Sequence, residues 1–358
     1  MSPVCGQSLV IRADASTEVG TGHVMRCLAL AQAWQHAGGQ AVFLMVPGAP
    51  LLEDRLKLEG TEVVPLLAKP GSREDAAQTA KLAQKVCASW VVVDGYKFSG
   101  DYQRIIKNSG QCLLAVDDYG HADHYYADFV LNQNLHACEF LYRNRELYTR
   151  LLLGTSFVLL RREFQKWQGW RRETPEVAHR LLVTLGGGDP NNVSHLVIQS
   201  LQQMRLHGLE ALVVVGGSNP HYEELEAATR RSSVPISLKR DITNMPELMA
   251  WADVAISGGG ATCWELAFMG LPSLVITLAD NQHSIAQRLQ SVGLAINLGW
   301  FERLSPSETR QAIQRLVESA KIREEMTKQG RQCVDGKGAF RVAGALTQAL
   351  ESVCGSFT

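Results

Sequence analysis

Residues 11–30, IRADASTEVGTGHVMRCLAL, decide the fold class of this chain, because they join a buried strand to a helix through a glycine-rich turn. The apolar run at 9–13 predicts the strand, and the apolar positions within 24–31 form the stripe of an amphipathic helix. A strand, a tight turn and a helix in this order begin a strand–helix–strand unit. The segment therefore predicts a parallel sheet with helices packed on it.

The turn itself carries the first candidate for chemistry, His23. Gly20 and Gly22 let the backbone turn tightly and expose its N–H groups, so His23 is expected at the amino end of a helix, where anions such as phosphate are favoured. The helix dipole there favours the neutral ring that can accept a proton, whereas a bound diphosphate would oppose this. A histidine that only caps the helix or packs is the alternative. Asp14 is expected to orient His23, to bind sugar, or to act as a structural cap.

The first half of the chain continues as alternating apolar runs and helical patterns. Amphipathic segments such as 73–88 separate several of the runs. This alternation is typical of a parallel sheet wrapped by helices, in which ligands collect at the carboxyl ends of the strands. We therefore expect 14–23, 94–96 and 117–119 to converge on one edge. The predicted strands are 9–13, 41–45, 62–66, 90–94, 112–117 and 129–132.

The same pattern restarts after residue 180, which predicts a second parallel-sheet domain. A helix is expected from Asn192, and glycine-rich loops follow several of the apolar runs. The predicted class is thus α/β and GT-B-like, with two Rossmann-like parallel-sheet domains facing across a cleft. The predicted strands of this half are 181–185, 211–215, 254–256 and 273–276.

Length supports two domains, since 358 residues exceed the size at which a single core stops growing. We expect an N-terminal domain at 1–162, a connector at 163–178 that is rich in charge and tryptophan, and a C-terminal domain at 179–358. A surface helix of the first domain is the alternative for the connector. The last amphipathic segment, 340–353, is expected to form a helix that packs back on the N-terminal domain.

The amino-acid composition argues against nucleic acid and membranes as partners. Hydrophobic residues make up 46% of the chain, charged residues 20%, and the formal net charge is −1, so no polybasic face for nucleic acid is expected. The eight cysteines show no spacing typical of a disulfide framework or a zinc site. With neither a secretory signal nor an apolar run long enough to cross a bilayer, the sequence predicts a cytoplasmic protein without membrane insertion. A monomer is the working expectation for its oligomeric state.

Two glycine loops of the second half predict a nucleotide site. The loop at 257–265, SGGGATCWE, follows an apolar strand and begins a helix, so the N–H groups around Gly259 can hold a phosphate while Glu265 accepts hydrogen bonds from a ribose diol. A second such loop contains Gly187 and Asp189. The alternative is that the glycines only permit close packing and that Glu265 is a capping acid.

Asp280, Asn281 and Gln282 follow another predicted strand and precede a helix. Amide side chains in this place can bind sugar hydroxyl or acetamido groups. Simple helix capping by Asp280 or Asn281 is the alternative.

Other chemistries find less support in the sequence. The acidic and histidine residues of 117–124 lie in one irregular loop whose spacing matches no known metal site, so we expect no metal there but a polar loop at the cleft mouth. The chain has no Gly-x-Ser-x-Gly elbow after a strand and no Walker A lysine, which argues against a serine nucleophile and against phosphoryl transfer from ATP.

Several motifs in the same order resemble the PseG family, the UDP-sugar hydrolases of pseudaminic acid biosynthesis, which are themselves similar to the MurG glycosyltransferase and other GT-B proteins. The resemblance extends over about residues 9–300. The motifs are RADASTEVGTGHVMRCLALA near the start, VVDGY at 92–96, VDDYGHADHYYADFVLNQN at 116–134, FVLLRREF at 157–164, TLGGGDP at 184–190, SGGGATCWELAFMGLP at 257–272 and DNQ at 280–282.

This resemblance implies hydrolysis of UDP-2,4-diacetamido-2,4,6-trideoxy-β-L-altropyranose to UDP and the free sugar, by attack of water on the anomeric carbon with inversion, C–O cleavage and neither metal nor cofactor. It implies catalytic roles for His23, Tyr96 and Asn281 and ribose binding by Glu265. The chain departs from the family pattern at Gly95, where relatives often have histidine, and this leaves the orientation of the sugar open. Rival functions are a MurG-like glycosyltransferase, an epimerase, and a non-catalytic nucleotide-sugar sensor.

Overall fold

The structure is a computed structural model that describes residues 6–16, 20–217, 219–240 and 242–354, without the side chains of 352–354. Cys5 and the side chain of Cys354 therefore lie outside the described residues. The chain divides into two compact units. The first comprises the chain up to Ala15, His23–Arg162 and the chain from Gly336, and the second comprises Ser16–Gly22 and Glu163–Asp335.

The first unit is built on a parallel sheet in which, among the described residues, seven strands have the order β3-β2-β1-β4-β5-β6-β7. All six residues of β1 are buried, as expected for a strand covered by helices on both faces. The strands are β1 (Ser8–Ala13), β2 (Gln40–Met45), β3 (Glu62–Pro65), β4 (Ala88–Asp94), β5 (Leu113–Val116), β6 (Phe129–Asn132) and β7 (Arg150–Leu153).

Helices cover both faces of this sheet. They are α1 (Gly22–His36), α2 (Pro50–Leu58), α3 (Arg73–Lys85), α4 (Gly100–Asn108) and the last helix of the chain, which we number α12 (Gly338–Cys354). Short 3-10 helices lie at Glu139–Tyr142 and Thr155–Phe157. Helix α12 packs in the first unit, where Leu346 is fully buried in the core and its carbonyl oxygen accepts a hydrogen bond from Nε1 of Trp90.

The second unit repeats the architecture with a parallel sheet whose six described strands have the order β10-β9-β8-β11-β12-β13. The strands are β8 (Arg180–Thr184), β9 (Glu210–Val215), β10 (Ile236–Arg240), β11 (Val254–Gly258), β12 (Ser273–Thr277) and β13 (Ile296–Trp300). The helices are α5 (Val193–Gln202), α6 (Tyr222–Thr229), α7 (Met245–Trp251), α8 (Thr262–Phe268), α9 (Asp280–Ser291), α10 (Pro306–Glu318) and α11 (Ala320–Cys333). A 3-10 helix lies at Phe301–Arg303.

The expected connector at 163–178 begins in a 3-10 helix, Arg162–Trp167, and continues without regular secondary structure. Arg172 lies in this segment and donates hydrogen bonds to the backbone carbonyls of Met249, Ala252 and Gly270. These bonds hold the segment within the second unit. In the described residues, no helix combines the length and the apolar character needed to cross a membrane.

The predicted strands are all present, with bounds that differ by at most two residues, and three further strands were missed. The missed strands β7, β10 and β13 are all outermost in their sheets. An outer strand keeps partly exposed polar residues, as in ISLKR at Ile236–Arg240, so it does not form a continuous apolar run. The helix predicted at 73–88 was too long, because α3 ends at Lys85 and strand β4 already begins at Ala88.

Candidate active site

The order of the strands places the first candidate site. In the first sheet β1 lies between β2 and β4, so the connections leave β1 and β4 in opposite directions and open a crevice at their carboxyl ends. His23 follows β1 as the second residue of α1, and Asp94 is the last residue of β4. The predicted convergence of the three strand-end segments on one edge is confirmed by hydrogen bonds among their side chains.

His23 is held by a buried carboxylate. Its Nδ1 lies 2.6 Å from Oδ1 of Asp94, and both side chains are buried. Burial alone would raise the pKa of Asp94, but the charge of Arg26 and the hydrogen bond to His23 outweigh it and hold the pKa below its usual value. An ionised Asp94 can only accept, so in a neutral His23 ring the contact assigns the proton to Nδ1 and leaves Nε2 as the acceptor. Nε2 has no hydrogen-bond partner within the described residues and is not sealed from solvent.

Arg26 joins two carboxylates below the ring. One helical turn after His23, its Nε and Nη2 donate to Asp94 at 2.6 and 2.7 Å, and its Nη1 donates to Oδ1 of Asp118 at 2.8 Å. Asp94 also accepts a hydrogen bond from the buried thiol of Cys27 at 3.3 Å. Two carboxylates share one guanidinium, so this buried group keeps one net negative charge facing His23.

Tyr96 is tied to the second of these carboxylates. Its hydroxyl donates to Oδ2 of Asp118 at 2.7 Å, and its ring meets that of His23 edge to face with the centroids 5.0 Å apart. Burial opposes ionisation of Asp118, yet the charge of Arg26 keeps the pKa of that carboxyl well below its usual range. Burial and the neighbouring Asp118 in turn raise the pKa of Tyr96, so its hydroxyl keeps its proton. The structure thus brings His23 and Tyr96 together.

The acidic and histidine loop after β5 is held by internal contacts. Asp117 accepts hydrogen bonds from the backbone of Tyr119 and Gly120 and from the hydroxyl of Tyr125, and it forms an ion pair with His121. Within the described residues, no group of three or more His, Cys, Asp or Glu side chains could hold a metal ion. The interpretation of this segment as a merely polar loop was incomplete, because Asp118 is central to the site.

The glycine turn and Asp14 precede His23 along the chain. Gly20 has φ +75°, which favours glycine, and a Cβ at Gly20 or at Gly22 would project into open space. Asp14 accepts from the backbone N–H of Val46 and pairs with Arg12, so it fixes the ends of β1 and β2. The idea that Asp14 orients His23 is wrong, because Asp94 occupies the Nδ1 position. Sugar binding by Asp14 stays a prediction.

The second sheet has its own switch point, between β8 and β11. The loop with Gly187 and Asp189 follows β8, and the loop with Gly259 follows β11, so the two predicted glycine loops occur at the place where ligands bind in such sheets. The carboxylate of Asp189 accepts from the backbone N–H groups of Val193 and Ser194 and therefore caps α5. Ligand binding by Gly187 and Asp189 stays a prediction. Because the Asp189 carboxylate is already hydrogen-bonded, the prediction now concerns the backbone N–H groups of the loop.

Gln282 also has a structural role. Its Oε1 accepts from the backbone N–H groups of Gly259 and Leu278, which ties the glycine loop to the end of β12. A Cβ at Gly259 would lie 3.0 Å from Cβ of Gln282, so close packing explains this glycine. Glu265 is buried in the first turn of α8, and Asn281 is half-buried at the start of α9 in the second unit. Their roles toward a ligand stay predictions.

Sequence reasoning placed Asp94 and Asp118 in segments of the ligand-binding edge but gave them no role, and it missed Arg26 altogether. The available signal was an aspartate at the carboxyl end of two predicted strands, together with an arginine one helical turn after His23. Neither signal shows which strands are neighbours in the sheet. Arg26 can reach both carboxylates because β4, which ends at Asp94, lies next to β5, which precedes Asp118.

Comparisons with known proteins agree with this architecture. Residues 180–338 match the model of the glycosyltransferase family 28 C-terminal domain. The solved structure of MurG from Acinetobacter baumannii superposes with a TM-score of 0.62 at 16% identity and covers 96% of this chain and 99% of that one. The chain therefore has an α/β, GT-B-like fold.

Two curated relatives are similar in sequence. The chain is 30% identical over 208 residues to the spore coat polysaccharide biosynthesis protein SpsG of Bacillus subtilis. This alignment covers 57% of this chain and 60% of that protein. It is 24% identical over 292 residues to the UDP-2,4-diacetamido-2,4,6-trideoxy-β-L-altropyranose hydrolase of Campylobacter jejuni. This alignment covers 80% of this chain and 98% of that protein. The resemblance to this hydrolase is thus present over most of the chain.

Proposed function

We propose that this protein is an enzyme acting on UDP-sugars, and that it hydrolyses UDP-2,4-diacetamido-2,4,6-trideoxy-β-L-altropyranose to UDP and the free sugar with inversion at the anomeric carbon. The observation that carries the proposal is the 2.6 Å contact between Nδ1 of His23 and Asp94. It leaves Nε2 as a proton acceptor in a crevice where substrates of such sheets bind. The hydrolase from Campylobacter jejuni supports the identity of the sugar.

UDP is already a competent leaving group, so the protein mainly has to position the water and accept its proton. The oxygen of a water forms the bond to C1, and the bond from C1 to the diphosphate oxygen breaks with its electron pair on UDP. The proton of the water passes to Nε2 of His23 and is later released to solvent. A positioned base contributes about 10² to 10⁴ in rate.

UDP is expected at the switch point of the second sheet. The backbone N–H groups of the loops around Gly187 and Gly259 are proposed to bind the diphosphate, Glu265 the ribose, and Asn281 the sugar. These four assignments follow the resemblance and the position of the loops after β8 and β11.

Reduced thiols support a cytoplasmic location for this activity. Among the described residues no disulfide is formed by the cysteines, which are Cys27, Cys87, Cys112, Cys138, Cys263 and Cys333. Cysteines in this number without a disulfide are typical of proteins from reducing compartments.

A glycosyltransferase is the second candidate, favoured by the match to the family 28 C-terminal domain. It would require an alcohol acceptor in place of water. The same assay separates the two functions, because a transferase releases little UDP until an acceptor is added.

The test is UDP release from the altrose-configured nucleotide sugar by the purified protein, in the presence of a metal chelator and without an acceptor. We expect turnover by the wild-type protein and a loss of at least about a hundredfold in kcat for His23→Phe. His36→Phe is the matched control, since His36 ends the same helix far along its axis. No UDP release by the wild-type protein, or equal turnover by His23→Phe, would reject the proposal.

A further inference from the structure

We propose that the end of the loop after β3, residues 69–72, is a positioning element of the active site, because it holds the loop that carries Tyr96. We call these segments the β3 loop (69–72) and the β4 loop (95–99). The inference rests on the proposed function, since it takes the group of His23 and Tyr96 as the place of hydrolysis. The β3 loop lies outside every motif that carries the family resemblance.

The two loops meet backbone to backbone at Gly71. This residue has φ +78°, which favours glycine, and a Cβ on it would lie 2.7 Å from Cβ and 3.1 Å from the carbonyl carbon of Lys97. Real Cβ atoms essentially never approach another atom as closely as 2.7 Å, so only glycine lets the β3 loop rest on Lys97. Lys97 follows Tyr96 directly along the chain.

Asp75 fixes Gly71 in this position. The carboxylate of Asp75 is fully buried in the first turn of α3, and its Oδ2 accepts from the backbone N–H of Gly71 at 2.8 Å. It also accepts from Nε and Nη2 of Arg12 at 2.9 and 3.0 Å and from the hydroxyl of Tyr102 at 3.0 Å. A buried carboxylate with this many donors has one orientation, so the β3 loop is held in place.

The residues around Asp75 also hold the β4 loop at a second point, Phe98. The side chain of Phe98 is buried, and the guanidinium of Arg12 lies over its ring at 5.3 Å from the centroid. The ring of Tyr102 lies 4.7 Å from the same ring, centroid to centroid. The β4 loop is therefore held at Lys97 by the β3 loop and at Phe98 by Arg12 and Tyr102.

These contacts bear on the site because Tyr96 precedes both of the held residues. The ring of Tyr96 meets that of His23 edge to face, with the centroids 5.0 Å apart. A displacement of Lys97 would move Tyr96 relative to His23, and a misplacement of about 1 Å can cost about a hundredfold in rate. Gly71 is thus a positioning residue. It is expected to act on kcat and not on the affinity for UDP, which is proposed to bind at the second sheet.

The experiment compares Gly71→Ala with the matched control Gly110→Ala. Gly110 lies in the same unit and has a similar φ of +84°, but a Cβ on it would meet no atom within 4 Å. Both variants therefore carry the backbone cost of alanine at positive φ, and only Gly71→Ala collides with Lys97. 3-Fluorotyrosine incorporated in place of Tyr96 reports the surroundings of that ring by fluorine NMR, and UDP release reports catalysis.

We expect the fluorine resonance to shift in Gly71→Ala and to keep its wild-type position in Gly110→Ala. For UDP release, kcat should fall about ten- to a hundredfold in Gly71→Ala, with unchanged affinity for UDP by calorimetric titration. Tyr102→Phe removes the hydroxyl that donates to Asp75 and keeps the ring on Phe98. It should shift the resonance and lower kcat by about two- to tenfold, and it tests the inference even when Gly71→Ala does not fold.

The same resonance and the same kcat in Gly71→Ala and Gly110→Ala would overturn the inference. So would a lower melting temperature of Gly71→Ala with an unshifted resonance, because Gly71 would then stabilise the unit without placing Tyr96. A wild-type resonance and kcat in Tyr102→Phe would likewise contradict it. Absence of UDP release by the wild-type protein would instead reject the proposed function, while the fluorine resonances would still measure the hold on Tyr96.

Discussion

At the scale of the residue, the site depends on proton positions that carboxylates impose on their neighbours. Asp94 and Asp118 are buried, and each would be costly without the guanidinium of Arg26 between them. Their ionised state makes Nε2 of His23 an acceptor and keeps the hydroxyl of Tyr96 protonated. One arginine thus influences the proton positions of two neighbouring groups, His23 and Tyr96.

The variant Asp94→Asn tests this polarity. An amide N–H directed at Nδ1 would move the imidazole proton to Nε2, where it cannot accept a proton from water. We expect kcat to fall by about 10² to 10⁴ while KM changes little. The control Asp101→Asn removes an exposed carboxylate that pairs with Arg73 and Arg104, and it should keep full activity. Unchanged kcat in a folded Asp94→Asn protein would contradict the assignment.

At the scale of the element, the loop after β5 is held by the ion pair of His121 with Asp117. Burial lowers the pKa of His121, but the interaction with Asp117 outweighs it and raises the pKa above the usual 6.5. A raised pKa in the folded state stabilises the protein fully below pH 6.5 and loses this effect as pH rises through the folded-state pKa.

We therefore expect the free energy of unfolding of the wild-type protein to decline above pH 6.5 relative to that of His121→Gln. Urea unfolding followed by circular dichroism at a series of pH values measures this difference. A constant difference between the two proteins across the series would show that the His121 ion pair does not stabilise the loop.

The glycine loop after β11 allows a matched pair of substitutions. A Cβ at Gly259 would lie 3.0 Å from Cβ of Gln282, whereas a Cβ at Gly260 would meet only Nε2 of Gln282 at an ordinary 3.9 Å. Gly259→Ala should destabilise the second unit by about 1–3 kcal/mol. Gly260→Ala should leave the melting temperature unchanged but weaken UDP binding about tenfold, if the loop backbone contacts the diphosphate. Calorimetric titration with UDP decides this, and unchanged affinity in Gly260→Ala would remove the loop from the binding site.

At the scale of the whole molecule, helix α12 packs into the core of the first unit, which is otherwise built from residues up to Arg162. Leu346 of α12 is fully buried in the core cluster that contains strands β1 and β4, and Trp90 donates to its carbonyl oxygen. The first unit is therefore not a continuous stretch of sequence, and its stability includes a helix that follows all of the second unit along the chain.

Leu346→Ala should destabilise the first unit by about 2–5 kcal/mol, since it leaves a cavity in a closed core. Leu147→Ala, at a fully exposed leucine of the same unit, should change stability by less than about 0.5 kcal/mol. Hydrogen exchange read by mass spectrometry should show faster exchange in β1 and β4 of Leu346→Ala, with the strands of the second unit unchanged. Equal exchange in both variants would exclude α12 from this core.

The sequence by itself determined the parallel-sheet class, the inner strands and the position of His23, because these follow from local patterns of apolar residues and glycines. Of the four outermost strands it revealed only β3 and missed β7, β10 and β13; in β10, Ile236–Arg240, exposed polar residues interrupt that pattern. Only the tertiary structure decided that Asp94 and Asp118 meet at Arg26, since their contact depends on which strands are neighbours in the sheet. The tertiary structure also decided that Asp189 and Gln282 accept hydrogen bonds from backbone N–H groups. The partner of a side chain depends on distances in the folded protein, which the spacing of residues along the chain does not determine.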